Sequence, residues 1–286
     1  MITPDVSCYL DHTPVSDPGA FSGLLDQLEP DIKTLPEAVA RLMCHPTVAA
    51  SRGIELAPEQ ASDRHTRSIS RLLDCLASRD PAPLGEPRDL FCRFGGTCRD
   101  HAMLGIACLR HHGIPARMRG GFARYFSDGF WDDHWVAEVW QDDTCKLVDM
   151  QLGHEAVAHY AVAFDPWDVP RGEVDTARLG VELLEITGTW FAAGSVVRDA
   201  ASLAGVELLP WDYWGDAVDF GSDAVLLGEC SADLDAMAEL LGGTSATHAR
   251  ARDTLESHAW IGMPRAVVSY QDDGEPLVVE ITIAAA

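Results

Sequence analysis

The stretch GGTCRDHAMLGIACLRHHGIPAR, residues 95–117, decides how the chain is read, because it holds two of the eight cysteines and three of the eleven histidines. Thr97 stands where a helix N-cap belongs, and Asp100 follows three residues on, which resembles a capping box although Glu or Gln is the usual partner. Residues 98–112 are apolar on most sides and predict a buried helix, with Gly113 as its C-terminal cap. Cys98 then falls at the first helical position. Unpaired backbone N–H groups and the positive end of the helix dipole favour a thiolate there. A free thiol titrates near about 8.5, and such a position lowers that value. Gly95 and Gly96, without side chains, permit close approach of another backbone segment or of an acyl group.

Working outward, ARMRGGFARYF (116–126), HWVAEVWQ (134–141) and CKLVDM (145–150) read as strands, with Asp142-Asp143 as the turn between the last two. A helix followed by an antiparallel meander predicts an α+β unit. His134 opens the second strand after the loop SDGFWDD (127–133), and Asp149 lies on the third. Paired strands run about 4.8 Å apart, so adjacent strands can set an imidazole beside a carboxylate. A thiol nucleophile needs a base, and the base needs an orienting group. Cys98, His134 and Asp149 supply one of each.

The blocks GTCRDHAMLGIACLRHHGIPARMRGGF, HWVAEVW and KLVDMQ, in this order, resemble the core of transglutaminase-like proteins over roughly residues 88–155. The resemblance implies a papain-like core with Cys98 as nucleophile, His134 as general base and later acid, and Asp149 orienting His134. It also implies an acyl-thioester enzyme, because the superfamily includes protein cross-linkers, peptidases, peptide N-glycanases and bacterial enzymes joining acyl groups to amines. Arylamine N-acetyltransferases use the same triad and favour a glycine pair before the Cys, but the GIPAR block fits the transglutaminase-like group better. This chain places Trp135 directly after the histidine where HAWVEV is the commoner form, a variation in packing.

The expected reaction is transfer of an acyl group from an amide or thioester to an amine. Hydrolysis of an amide or peptide bond by the same triad, arylamine N-acetyltransferase-like transfer, and a non-catalytic binding module of the same fold are the alternatives. In such enzymes the Cys98 N–H is the first oxyanion donor. Arg93, Thr97, Trp131 and Trp135 are the candidates for a second donor or for substrate contact. Cys92, Cys98 and His101 lack the paired spacing of a zinc site, so neither metal nor cofactor is expected. Cys44, Cys75, Cys108 and Cys145 read as structural thiols.

Composition narrows the partners. A net charge of −24 over 286 residues disfavours a general binder of nucleic acid or anionic membrane. The expected partners are a small-molecule, peptide or carrier-bound acyl substrate and an amine acceptor. No run spans a bilayer, and the start MITPDVSCYLDHTPVSDPGA lacks the basic and apolar regions of a signal peptide, so a cytoplasmic location is expected.

The flanks complete the organisation. Residues 1–87 read as a mainly helical region, 88–169 as the transglutaminase-like catalytic core, and 170–286 as a helical region with a terminal strand, packed on the core. Within them, 35–46 and 59–80 predict helices, the latter with Ile69, Leu72, Leu73 and Leu76 on one face. Residues 174–205 read as largely helical, 209–221 as an aromatic and acidic loop, 231–243 as a helix begun by Ser231, and 276–284 as a strand.

Overall fold

The computed structural model describes residues 6–141, 144–153, 175–242, 247–272 and 274–283. The predicted turn at Asp142-Asp143 lies outside the described residues. The chain divides into two compact units. Among the described residues, the first comprises 6–118, 135–141 and 144–153, and the second 119–134, 175–242, 247–272 and 274–283.

In the first unit, helices α1 (Ser22–Leu25), α2 (Leu35–Leu42), α3 (Pro46–Ser51), α4 (Pro58–Ser62) and α5 (Ile69–Arg79) precede α6 (Cys98–His111). Three of these helices begin with a proline in their first turn, α2, α3 and α4, where a missing N–H leaves no bond unmade. The two short strands β1 (Met43–Cys44) and β2 (Phe94–Gly95) pair in parallel just ahead of α6. One apolar core joins Leu35, Val39 and Leu42 of α2, Ile69 to Leu76 of α5, and Leu104, Ile106 and Leu109 of α6. Each such side chain contributes about 1.5–3 kcal/mol on burial, so the N-terminal helices help to hold α6 in place.

The predicted helix over 59–80 is broken in two. A 3-10 turn, Asp63–His65, and an extended Ser68 (φ −113°, ψ 148°) separate α4 from α5. The cause is tertiary: the Asp63 carboxylate is taken by Arg79 (Nη2 to Oδ1, 2.8 Å) and by the backbone N–H of Gly95 (2.8 Å). These bonds fix the turn against the helical preference of the surrounding residues.

Strands β3 (Ala116–Ala123), β4 (Trp131–Gln141) and β5 (Thr144–Val148) follow α6 in the expected order. β5 pairs antiparallel with the second half of β4, in the register Ala137↔Val148 to Gln141↔Thr144. Trp135, Ala137 and Val139 enter the apolar core, as their alternation predicts. The opposite face of β4 is also covered, for Glu138 is fully buried and accepts from Arg117 Nε at 2.6 Å.

In the second unit, the start of β4 pairs in parallel with β6 (Leu179–Val181), which pairs antiparallel with β7 (Ile186–Thr187). Within 175–205 the α-helix is therefore confined to the second half, and the first half holds two short strands and two 3-10 turns, Thr176–Arg178 and Glu182–Leu184. Val181, Ile186 and Thr187 are β-branched and join the sheet, and α7 begins only at Thr189 and runs to Leu203. Beyond it, β8 (Asp212–Tyr213) and a 3-10 helix at Gly215–Asp219 occupy the expected aromatic loop. Helices α8 (Ala224–Leu241) and α9 (His248–Ser257) lead to β9 (Ala266–Tyr270) and β10 (Pro276–Glu280), which complete a three-stranded sheet with β8. A second apolar core, including Val197, Leu203, Trp214, Met237 and Leu255, holds these elements.

Helix α8 starts seven residues before the position that Ser231 predicts. Asp223 is its cap, accepting from the backbone N–H groups of Val225 and Leu226, both at 3.0 Å. Ser231 lies inside the helix and returns its hydroxyl to the Gly228 carbonyl, 2.8 Å away. Asp223→Ala is expected to lower stability by about 1 kcal/mol, seen as a lower urea midpoint at unchanged slope.

Candidate active site

Cys98 is the first residue of α6 and is 7 % exposed. The capping box ahead of it forms. The Thr97 N–H donates to Asp100 Oδ2 at 2.8 Å, and the Thr97 hydroxyl donates to the same oxygen at 3.1 Å. Arg99 Nη1 donates to Asp100 Oδ1 at 3.0 Å and Arg99 Nη2 to the Arg67 carbonyl at 3.0 Å. Burial pushes the Asp100 carboxyl above the usual carboxylate range, opposed by the Arg99 guanidinium and the Thr97 N–H. His101 donates from Nδ1 to the Thr97 carbonyl at 2.7 Å, which gives this buried histidine a structural task. Gly113 follows the helix at φ 74°, the left-handed conformation that stops a helix.

The close approach that Gly95 permits is made by the chain itself. A Cβ there would stand 1.8 Å from the Gln60 carbonyl oxygen. Gln60 is buried, and its Nε2 donates to the carbonyls of Leu90 (2.8 Å) and Arg93 (2.9 Å). Together with Asp63, it clamps the segment 90–95 that leads into Cys98. Sequence reasoning missed both residues, because each lies some thirty positions upstream in no recognisable motif. The sequence carries no local trace of their role, since 59–80 reads as one continuous helix.

His134 belongs to the second unit and is 5 % exposed. The rings of Phe126 and Tyr125 meet its imidazole edge-on, with centroids 4.9 and 5.9 Å away. Asp132, two residues earlier, accepts from Ser127 Oγ (2.9 Å) and from the Glu182 N–H (3.1 Å). Burial raises its carboxyl above the ordinary range against these bonds. Asp149 belongs to the first unit, directly after β5, and accepts from the Gln151 N–H at 2.9 Å. Within the first unit, residues 137–141 of β4 are hydrogen-bonded to β5, which ends one residue before Asp149.

The remaining candidates differ in what they have to offer. Thr97 spends its hydroxyl on Asp100. Arg93 donates from Nε to the Arg88 carbonyl at 3.2 Å. Trp135 is 1 % exposed and packs in the apolar core of the first unit. Trp131, in the second unit, keeps a buried Nε1–H donor that has no acceptor. Among the other thiols, burial pushes Cys44 up to about 11 and Cys108 up to about 12, and it also raises Cys75. Cys145 donates to Glu138 Oε1 at 3.1 Å. Among the described residues, no helix is long and apolar enough to cross a membrane.

Residues 50–146 match the family model of the transglutaminase-like superfamily. The chain therefore carries a transglutaminase-like domain, and its mixed helices and strands agree with the α+β, papain-like core that the sequence implies. The matched span contains Cys98 and His134 and stops short of Asp149. Members of this superfamily typically perform cysteine-based acyl transfer or hydrolysis. No curated protein and no solved structure matches the chain.

Proposed function

We propose that the protein is a thiol acyltransferase that joins an acyl group to an amine through an acyl-thioester on Cys98. The observation that carries this reading is the placement of Cys98 at the capped start of a buried helix inside the transglutaminase-like segment. Of the eight thiols, this one stands at the first position of a capped helix, at the positive end of its dipole.

In the proposed mechanism, His134 takes the thiol proton and Cys98 Sγ attacks the carbonyl carbon of an amide or thioester. The new C–S bond produces a tetrahedral oxyanion, bonded by the Cys98 N–H and by the unused indole N–H of Trp131. Collapse breaks the bond to the leaving amine or thiol, which receives its proton from His134. An acceptor amine then attacks the thioester, His134 removes its proton, and cleavage of the C–S bond returns the thiol. Asp149 orients the imidazole and balances its transient charge. No cofactor enters these steps. The acyl donor is a small molecule, a peptide or a carrier-bound group. The strongly negative chain suits a cytoplasmic enzyme without a nucleic-acid or membrane partner.

The test is to trap the acyl-enzyme from candidate thioesters and amides, locate the adduct by mass spectrometry, and challenge it with amines. The expected result is a Cys98 adduct that amines discharge faster than water. An adduct discharged by water alone across a broad amine set makes the enzyme an amidase or peptidase. An adduct on another residue overturns the reading.

A further inference from the structure

Helix α7 of the second unit carries two adjacent buried charges that are treated in opposite ways. Asp199 accepts from Arg119 Nε (3.0 Å), Arg119 Nη2 (2.9 Å) and the Gly120 N–H (2.9 Å), so its charge is matched. Arg198 is 0 % exposed, and no carboxylate among the described residues lies within ion-pair distance of it. Its Nη2 donates to Ser195 Oγ at 3.2 Å, whereas Nε and Nη1 are buried without an acceptor. The guanidinium carbon lies 4.8 Å from the Tyr213 ring centre and 5.7 Å from that of Phe191. A Cβ on Gly194 would stand 2.9 Å from Nη1, so the glycine at that position leaves the guanidinium its room.

Stability does not account for this residue. A buried cation without a counter-charge is unfavourable, aromatic faces offset only part of that, and an apolar side chain of similar volume would fit at lower cost. Buried donors without acceptors add to the penalty. The group has the chemistry of an anion-binding residue: one positive charge, two donors without acceptors and an aromatic surround. A single charge matches a carboxylate better than a phosphate dianion. Ser195 Oγ donates onward to Asp133 Oδ1 at 3.2 Å, so the guanidinium reaches that carboxylate only through a hydroxyl. Asp133 immediately precedes His134, the proposed base. One hydroxyl therefore links the free guanidinium to the residue beside it.

We propose that Arg198 anchors a binding site for a carboxylate of the substrate. Because the guanidinium is fully buried, admitting the ligand requires the side chains around it to move aside. That the carboxylate belongs to a substrate rests on the acyl-transfer reading; that the site binds a carboxylate does not.

Binding is therefore tested in Cys98→Ala protein by thermal unfolding with succinate against sodium chloride at matched ionic strength. The Tm is expected to rise with succinate concentration, and Arg198→Met in the same background should show a Tm no lower than its parent and no succinate response. Arg198→Lys should keep a weaker response, which preserves the test if the Met variant does not fold. An unresponsive parent, or a response that survives in Arg198→Met, overturns the site. A well-folded Arg198→Met with a lowered Tm makes the arginine structural and overturns it also.

Turnover in the active enzyme then locates the carboxylate, with glycine against methylamine on the acceptor side and a succinyl against a butyryl thioester on the donor side. The preference for the carboxylate compound should fall at least tenfold in Arg198→Met on one side only, through KM. Succinate binding with no preference on either side removes the substrate from the proposal.

Discussion

Cys98→Ala is expected to lower turnover by roughly 10⁴–10⁶-fold while leaving the fold intact, since a nucleophile removed from a cooperating triad takes nearly all of its chemistry with it. The structural effect is small for two reasons. The lost atom is a single sulfur at the first position of α6, and the cap that holds that position is made by Thr97 and Asp100. Alanine also suits a helix better than cysteine. The far-ultraviolet spectrum and the urea midpoint should therefore stay close to those of the parent, and the acyl adduct should vanish from the mass spectrum. Retained turnover would sink the mechanism outright. The native protein offers a parallel measurement. Near pH 7.5 the thiols of Cys44 and Cys108, pushed up to about 11 and about 12 by burial, stay protonated. An electrophile should label Cys98 ahead of them, and ahead of the exposed Cys8 as well. Equal labelling of Cys98 and Cys8 would show an ordinary thiol.

Gly95→Ala should give the largest loss of stability of any single methyl addition near the site, about 3 kcal/mol or more. The added Cβ would sit 1.8 Å from the Gln60 carbonyl oxygen and 2.8 Å from its carbonyl carbon, both backbone atoms. Neither side can retreat freely. Gly95 is held by Asp63 through its N–H and by Cys44 through the β1–β2 pair, while the Gln60 side chain is bonded to Leu90 and Arg93. Gly23→Ala in α1 is the control, because an added Cβ there meets nothing within 4 Å. It should be neutral or slightly stabilising, as expected for replacing a helical glycine. Urea unfolding of the two variants compares them directly, and similar midpoints would refute the steric argument.

The parts of the fold that were legible in the sequence are those that a local pattern specifies. Thr97 and Asp100 at one end and Gly113 at the other bracket α6, and strand alternation marks β4 without reference to any partner. The candidates Cys98, His134 and Asp149 were legible for the same reason, each lying in a short recognisable block. What stayed hidden depends on contacts between distant positions. The α4–α5 break is imposed by the pull of Asp63 on Arg79 and Gly95, and the strands at 179–187 by a sheet edge that only the folded chain supplies. The start of α8 is a subtler miss. Asp223 and Ser231 are both competent caps, and the packing of Leu226 and Leu227 on the second apolar core goes with the earlier one. Arg198 could not be read at all, since a lone arginine on a helix ordinarily signifies an exposed charge.

The Gln60–Asp63 clamp makes the reactivity of the thiol a property of assembly rather than of its peptide. Cut from the rest of the chain, residues 95–117 would hold a helix of 14 residues at most, a length that is marginal in water. The dipole and the aligned N–H groups at Cys98 would then be transient, and the glycine pair would have no opposing backbone to press against. A nascent chain, a nicked chain or a misfolded one would carry an unremarkable cysteine at position 98. Reaction with an acyl donor is thereby confined to molecules in which segments some thirty residues apart have already met.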